Sequence, residues 1–348
     1  MGYVLRVRES SRKEETGKVC NIEFDSQKPV LNRIYGNASL LITGLTMLTF
    51  SSLSPCAGAF GAAVTGLDLR APLSDVEFSE LRAALDQYAV LVLRGQPIDD
   101  AQHIAFARRF GTLERTRLGA QGQGSELSIL TNIGPDGAVV EPSNRQWVNT
   151  LANQLWHSDS SFKPIPALAS ILAGRIVPAN GGETEFIDMR IVWNALPDAW
   201  KVEVEGLVAI HNLAYSREQV DPTHMTAQER AGVPPVRQPM MRSLPSGERS
   251  LYIGSHVEAI EGMAPDAARA LLDRLLAFAA QPAHVYTHAW EPHDLLIWDN
   301  RSTLHRGRPF DPVQPRYLVR ATVAGQAPLL EQAPVALEAH RARELVMQ

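Results

Sequence analysis

The sequence predicts a mostly β fold, a β-sandwich or jelly roll with flanking helices. Short runs of strand length recur through the chain, among them "ALASILAGRIV", "GETEFID", "GLVAIHNL", "AHVYTHAW" and "RYLVRATVAG". Turn residues punctuate them, as in "PMMRSLPSGERSLYIGS", which reads as a hairpin reversing at Pro245-Ser246-Gly247. Only three stretches keep a clear helical period. Many short strands with few helices bury their apolar faces sheet against sheet.

Taken in order, residues 1–46 stand apart. "MGYVLRVRESSRKEETGK" is crowded with charge, and the apolar run "NASLLITGLTMLTF" is interrupted by Gly44. That run is short of the roughly 20 residues needed to cross a bilayer and too far from the start for a signal peptide. The expectation is a poorly structured extension upstream of a natural start at Met47. A single domain then spans 47–330, and 331–348 form a C-terminal tail. "GAAVTGLDL" reads as a strand, and Ser74 with Glu77 as a capping box opening a helix whose Phe78, Leu81, Leu85 and Tyr88 share a face. "AVLVLRG" is a continuous apolar run, hence a buried strand. "DDAQHIAFARRFG" is a second helix with Gly111 just past its end. Residues 115–150 lack periodicity and are rich in Gly, Asn and Asp, the composition of a lid or an unstructured segment. "GAQGQG" lacks the spacing and strand–turn–helix setting of a phosphate loop and reads as a loop only. "APDAARALLDRLLAFAAQ" is the third helix, and "DLLIWDNRSTLH" with "RYLVRATVAG" completes the sheet.

Composition narrows the function. With 348 residues, 45% hydrophobic content and a net charge of −5, the chain has an ordinary globular make-up and no basic footprint for nucleic acid. Two cysteines, Cys20 and Cys56, build neither a thiolate zinc cluster nor a disulfide framework. A reducing cytoplasm is therefore the expected location, with no membrane partner. Any metal must be held by His, Asp or Glu.

Two His-x-acid pairs are candidates, His157-Asp159 in "NQLWHSDSSF" and His256-Glu258. Residues i and i+2 on a strand share a face, so either pair can offer two neighbouring ligands. A distant His completes a 2-His-1-carboxylate set, which leaves one side of an octahedral Fe(II) open. His305 in "WDNRSTLHRGRPF", at the end of an apolar strand, is the best third member. His256-Glu258 competes on spacing alone, since Gly262 and a helix follow and its chain is expected to leave the sheet at once. His103, His211, His224, His284, His288, His293 and His340 read as surface or hydrogen-bonded structural histidines. Arg316 and Arg320 share a strand face. They are either surface ion pairs on an edge strand or two carboxylate clamps. The hydroxyl of Thr184 in "GGETEF" is placed to donate to the same carboxylate.

"NQLWHSDSSF", "GGETEFIDMR", "WDNRSTLHRGRPFD" and "RYLVRATV", in this order and spacing, together resemble the taurine / 2,4-dichlorophenoxyacetate dioxygenase family over roughly residues 58–325. The likeness to the 2,4-dichlorophenoxyacetate enzymes is the closer one. The resemblance implies a double-stranded β-helix, Fe(II), 2-oxoglutarate and O2. It makes His157, Asp159 and His305 the metal ligands. Thr184 and Arg316 hold the far carboxylate of 2-oxoglutarate, Arg320 holds the acidic head of a small organic substrate, and Asn153 is an active-site asparagine. The implied reaction hydroxylates the ether-adjacent carbon of an aryloxyalkanoate, giving a phenol, glyoxylate, succinate and CO2. One departure is visible: after "FGTLE" the phenoxyacetate enzymes supply a lysine, whereas this chain reads "RTRLGAQGQG", so Arg115 or Arg117 takes that role or the substrate differs. The alternatives are a taurine, alkylsulfonate or alkyl-sulfate dioxygenase on the same iron centre, a zinc hydrolase, and a non-catalytic jelly-roll ligand-binding protein. The helical outer elements leave a homo-oligomer open.

Overall fold

The computed structural model describes residues 48–53, 59–117, 119–141 and 144–331. The expected extension over 1–46, nearly all of the 331–348 tail, both cysteines and His340 lie outside those residues. Strands β1 (Thr49–Ser52) and β2 (Ala62–Thr65) pair antiparallel. Helix α1 (Asp75–Tyr88) opens on the expected capping box: Ser74 Oγ accepts from Glu77 N–H, and the Glu77 carboxylate accepts from Ser74 N–H at 2.8 Å. Strand β3 (Val90–Leu93) follows, and then α2 (Asp100–Arg108), which carries a second capping box through Asp99 and Gln102. The stretch expected to be unpatterned instead holds β4 (Leu127–Thr131) and most of α3 (Arg145–Ala152).

The remaining strands are β5 (Ala167–Ile176), β6 (Thr184–Asp188), β7 (Val208–His211), β8 (Val236–Pro239), β9 (Met241–Ser243), β10 (Arg249–Leu251), β11 (Val257–Ile260), β12 (Val285–His288), β13 (Leu295–Asp299), β14 (Thr303–Gly307) and β15 (Tyr317–Ala324). Four short helices, α4 (Met189–Ala195), α5 (Asp198–Val204), α6 (Leu213–Glu218) and α7 (Ala227–Ala231), were not anticipated; α8 (Pro265–Ala279) was. The predicted hairpin is β9–β10, closed by Leu244 N–H to Glu248 O at 2.8 Å. No helix among the described residues is long and apolar enough to cross a membrane.

The largest sheet runs β1-β2-β3-β13-β5-β15-β4, and every pair in it is antiparallel except β2–β3. A three-stranded sheet, β12-β6-β14, and another, β11-β7-β8, complete the strand-rich body. The alternation of the large sheet separates two environments. Leu91, Leu93, Ile171, Ala173, Leu295, Ile297, Val319, Ala321 and Val323 pack against Leu81 and Leu85 of α1 and Phe106 of α2. Each buried Leu or Phe there contributes about 1.5–3 kcal/mol by leaving water. The opposite parity, Val90, Val92, Leu172, Leu296, Trp298 and Leu318, meets Phe186 of β6. Arg316, Arg320 and Thr322 share the parity of Leu318, so the same face that closes the second core also presents polar groups to a cavity.

Candidate active site

His157 and His305 meet through the backbone. His157 N–H donates to His305 O at 3.0 Å, and His305 N–H donates to His157 O at 2.9 Å. His305 lies in the middle of β14, beyond the turn at Asn300–Ser302, rather than at the end of the preceding apolar strand. His157 belongs to an isolated bridge and not to a strand, and Ser160 turns into the left-handed region at φ 54°. His157 and Asp159 therefore come together through a bridge and a turn and not through the shared strand face expected from their spacing. Asp159 is fixed on both oxygens: Ser170 Oγ on β5 donates to Oδ2 at 2.7 Å, and Arg320 Nη1 on β15 donates to Oδ1 at 2.5 Å. Asn300 supports this arrangement by donating from Nδ2 to Ser170 Oγ and accepting from Trp298 Nε1 and from Asp159 N–H.

His157, Asp159 and His305 each offer a ligand atom, all within 4.8 Å of one another, and all three are buried. His157 Nδ1 is hydrogen-bonded to Leu155 O at 2.7 Å, so Nε2 is the free nitrogen. His305 Nε2 stands 3.7 Å from Asp159 Oδ2, while its Nδ1 is buried without a partner. Burial pushes both imidazoles below their ordinary value, which leaves them neutral near pH 7, the form that binds metal. Burial opposes the Asp159 charge, but Arg320, then His305 and His157, and the Ser170 hydroxyl bring its pKa down to about 2. Two neutral imidazoles and one carboxylate facing a cavity fit a divalent ion of the Fe(II) type.

The same cavity is also lined by Thr184 and Arg316. Gly181 and Gly182 adopt φ of 76° and 72°, and a Cβ on Gly181 would stand 2.7 Å from Pro309 O. Glycine there lets the backbone run beside the 309–310 segment, and a Cβ on Gly182 would stand 3.5 Å from Arg316 Nε. Trp290 Nε1 donates to Thr184 Oγ1 at 3.0 Å, which leaves the hydroxyl hydrogen free to point into the cavity. The Arg316 guanidinium lies 5.4 Å from the Phe310 ring centre and makes no side-chain hydrogen bond to a described residue; its Nε is buried. Burial pushes its pKa down to about 10. A cation carried partly out of water without an acid partner is favoured by an anion beside it.

One cavity is lined by Asn153, His157, Asp159, Thr184, His305, Arg316 and Arg320 together. Arg316 and Arg320 are not surface ion pairs on an edge strand, because β15 lies between β5 and β4. His256 is not in the ligand cluster. Its Nδ1 is hydrogen-bonded to Ser161 Oγ at 2.9 Å, and Glu258 accepts from Asn212 Nδ2. Its chain does not leave the sheet as expected, for Val257–Ile260 pairs with β7; His256 lines the cavity, with its ring 5.9 Å from that of His157. Among the remaining histidines, His103 and His288 are buried and hydrogen-bonded, whereas His211 is buried with neither ring nitrogen partnered. Arg217 of α6 and Lys163 also line the cavity. No sequence signal marked them, because a six-residue helix and an isolated Lys carry no usable period.

The family model described as "Taurine catabolism dioxygenase TauD, TfdA family" matches residues 51–322. An α-ketoglutarate-dependent 2,4-dichlorophenoxyacetate dioxygenase from Burkholderia sp. (strain RASC) is 43% identical over 273 residues, 77% of this chain and 92% of that one. An (S)-phenoxypropionate/α-ketoglutarate dioxygenase from Sphingobium herbicidovorans is 38% identical over 282 residues, covering 78% and 94%. The crystal structure of AAD-2 in complex with Mn(II) and N-oxalylglycine superposes with a TM-score of 0.76 at 43% identity, covering 82% of this chain and 100% of the other.

Proposed function

Since this chain belongs to the TauD/TfdA dioxygenase family, we propose that it hydroxylates the ether-adjacent carbon of an aryloxyalkanoate such as 2,4-dichlorophenoxyacetate, dependent on Fe(II) and 2-oxoglutarate. The products are a phenol, glyoxylate, succinate and CO2. The observation that carries the reading is the coexistence in one cavity of the His157–Asp159–His305 cluster and an acid-free guanidinium, Arg316, beside Thr184. A zinc hydrolase does not require that second feature, and a passive binding protein leaves the first to coincidence. On this reading the sheets form the two walls of a double-stranded β-helix.

His157, Asp159 and His305 would hold Fe(II), which when bound supplies the activation of O2. Ser170 and Asn300 fix the carboxylate of Asp159, and Leu155 O fixes the tautomer of His157, so the donor set needs little rearrangement on binding. Arg316 and Thr184 receive the far carboxylate of 2-oxoglutarate. Arg320 draws the substrate's acid to the cavity and so brings one C–H to the metal side. Asn153 caps α3, accepts Gly307 N–H at 2.9 Å and closes the wall beside β14. These residues contribute by orientation and by exclusion of water. Hydroxylation next to the ether oxygen gives a hemiacetal that collapses without further assistance.

The test is oxygen uptake and succinate release by ferrous-loaded protein across a panel of 2,4-dichlorophenoxyacetate, a phenoxypropionate, taurine and an alkyl sulfate. The expected result is 2-oxoglutarate-dependent turnover greatest with the aryloxy acids. Preference for taurine or the alkyl sulfate would move the substrate to the sulfonate class, and turnover without 2-oxoglutarate would reject the reading.

A further inference from the structure

The cavity carries more positive charge than the roles above employ. Arg115, Arg117, Lys163, Arg217, Arg308, Arg316 and Arg320 all line it. Most of these cations are engaged. Arg320 is on Asp159, Lys163 on Glu114, and Arg308 is 3.6 Å from Glu185. Arg115 Nη1 donates to Gly124 O at 2.8 Å. Arg217 and Arg316 differ: neither has a salt bridge or a side-chain hydrogen bond among the described residues, and each has a buried Nε without a partner.

Arg217 is held in place by its helix. Asn212 caps α6, receiving Ala214 N–H on its side chain, and its own N–H donates to His256 O at 2.7 Å. At the far end Gln219 Nε2 donates to Ser255 O at 3.0 Å. Both ends of α6 are thus tied to the segment of His256, which lines the same cavity. Burial, and then the charges of Arg117 and Arg320, push the Arg217 pKa down to about 9, with Asp159 pulling the other way. Like charges gathered in a half-buried cavity are unfavourable until an anion meets them.

The proposed reaction brings two anions to this cavity, and Arg217 and Arg316 are the cavity guanidiniums with a buried, unpartnered Nε and no ion pair or side-chain hydrogen bond among the described residues besides. Arg316 sits with Thr184 and takes the cosubstrate. We propose that Arg217 takes the substrate's carboxylate together with Arg320, making this enzyme selective for acids over their neutral derivatives. The assignment rests on the proposed function and names the group that selects its substrate.

The experiment is calorimetric titration of 2,4-dichlorophenoxyacetate, and separately of its neutral carboxamide, into protein loaded with Mn(II) and N-oxalylglycine. Arg217→Gln and Arg217→Lys are compared with the unaltered chain, and kcat/KM is measured for both ligands in ferrous-loaded protein. R217Q should raise Kd for the acid roughly 10- to 100-fold while moving that of the amide by less than about threefold, and R217K should recover part of the loss. Equal weakening of acid and amide means a role in shape alone and overturns the assignment. An acid Kd that stays within about threefold, or an unaltered protein that binds no acid, does so too. If the acid binds through Arg217 but 2-oxoglutarate-dependent turnover is absent, the functional reading fails and the assignment stands. If turnover is present but indifferent to Arg217, the reverse holds.

Discussion

Replacing Arg316 by Met tests the cosubstrate clamp through its energetic side effect. The folded protein carries this guanidinium partly out of water with no acid beside it, and its pKa falls to about 10. A tenfold change in an ionisation constant is about 1.4 kcal/mol, so the charged form is disfavoured by roughly 3 kcal/mol relative to the unfolded chain. Arg316 is only half-buried, which screens that figure to about 1–2 kcal/mol. Loss of the cation–π contact with Phe310, about 0.5–1 kcal/mol, opposes the gain. Without ligand, Arg316→Met should therefore be more stable by about 1 kcal/mol, or about 2 °C in Tm. The sign follows from the depressed pKa of a cation: the penalty is fully present below pH 10 and fades as the group loses its proton, so the gain is largest at neutral pH. Function moves the other way. Losing a two-bond clamp on a carboxylate, about 3 kcal/mol, should raise the 2-oxoglutarate concentration for half-maximal oxygen uptake roughly 100-fold. Thermal melts with and without 2-oxoglutarate, alongside oxygen-uptake titrations, read both effects. A variant that is less stable without ligand and keeps its 2-oxoglutarate response refutes the reasoning.

Other perturbations probe the supports. Ser170→Ala removes the donor to Asp159 Oδ2 and strands Asn300 Nδ2; anaerobic ferrous titration should show affinity reduced roughly 10- to 100-fold, and unchanged affinity would show that Asp159 needs no such support. Trp290→Phe releases Thr184 Oγ1. Its half-saturating 2-oxoglutarate should rise roughly fivefold, about 1 kcal/mol, with substrate KM less affected. His103 is buried on α2 against Ile171 O, and burial lowers its pKa to about 4. The unfolded chain therefore binds the extra proton first, and stability is full above pH 6.5 and falls by about 3 kcal/mol as pH drops through 4. His103→Gln should flatten urea-derived stability against pH over that interval, and an unaltered slope would place the acid lability elsewhere.

What could be read from the chain divides by distance. Helices α1 and α2 were legible because their caps and apolar period lie within fifteen residues, and β3 because four consecutive apolar residues leave little other choice. The four helices between Met189 and Ala231 were hidden because five to seven residues are too few to establish a period. Strand β4, "LSILT", sat in a Gly- and Asn-rich stretch and owes its state to pairing with β15. Nothing local places β13 between β3 and β5, which is a contact across more than a hundred residues. The site was clearer than the topology, since His157-Asp159 and the pair Arg316 and Arg320 are each local spacings. The hidden part was what other elements add. Ser170, Asn300 and Trp290 are ordinary residues by sequence, and Arg217 reaches the cavity only because α6 is tied to the His256 segment.

The reciprocal backbone hydrogen bonds between residues 157 and 305 give the two imidazoles a common mount. Their bite is fixed by that backbone pairing, independently of lining residues such as Arg115, Arg117 and Arg217. Mutations in those linings can retune which molecule is admitted while the ion's seat keeps its dimensions. Such a division into an inherited chassis and an exchangeable interior offers a physical route by which one oxygen-activating frame diversifies across substrates without being rebuilt.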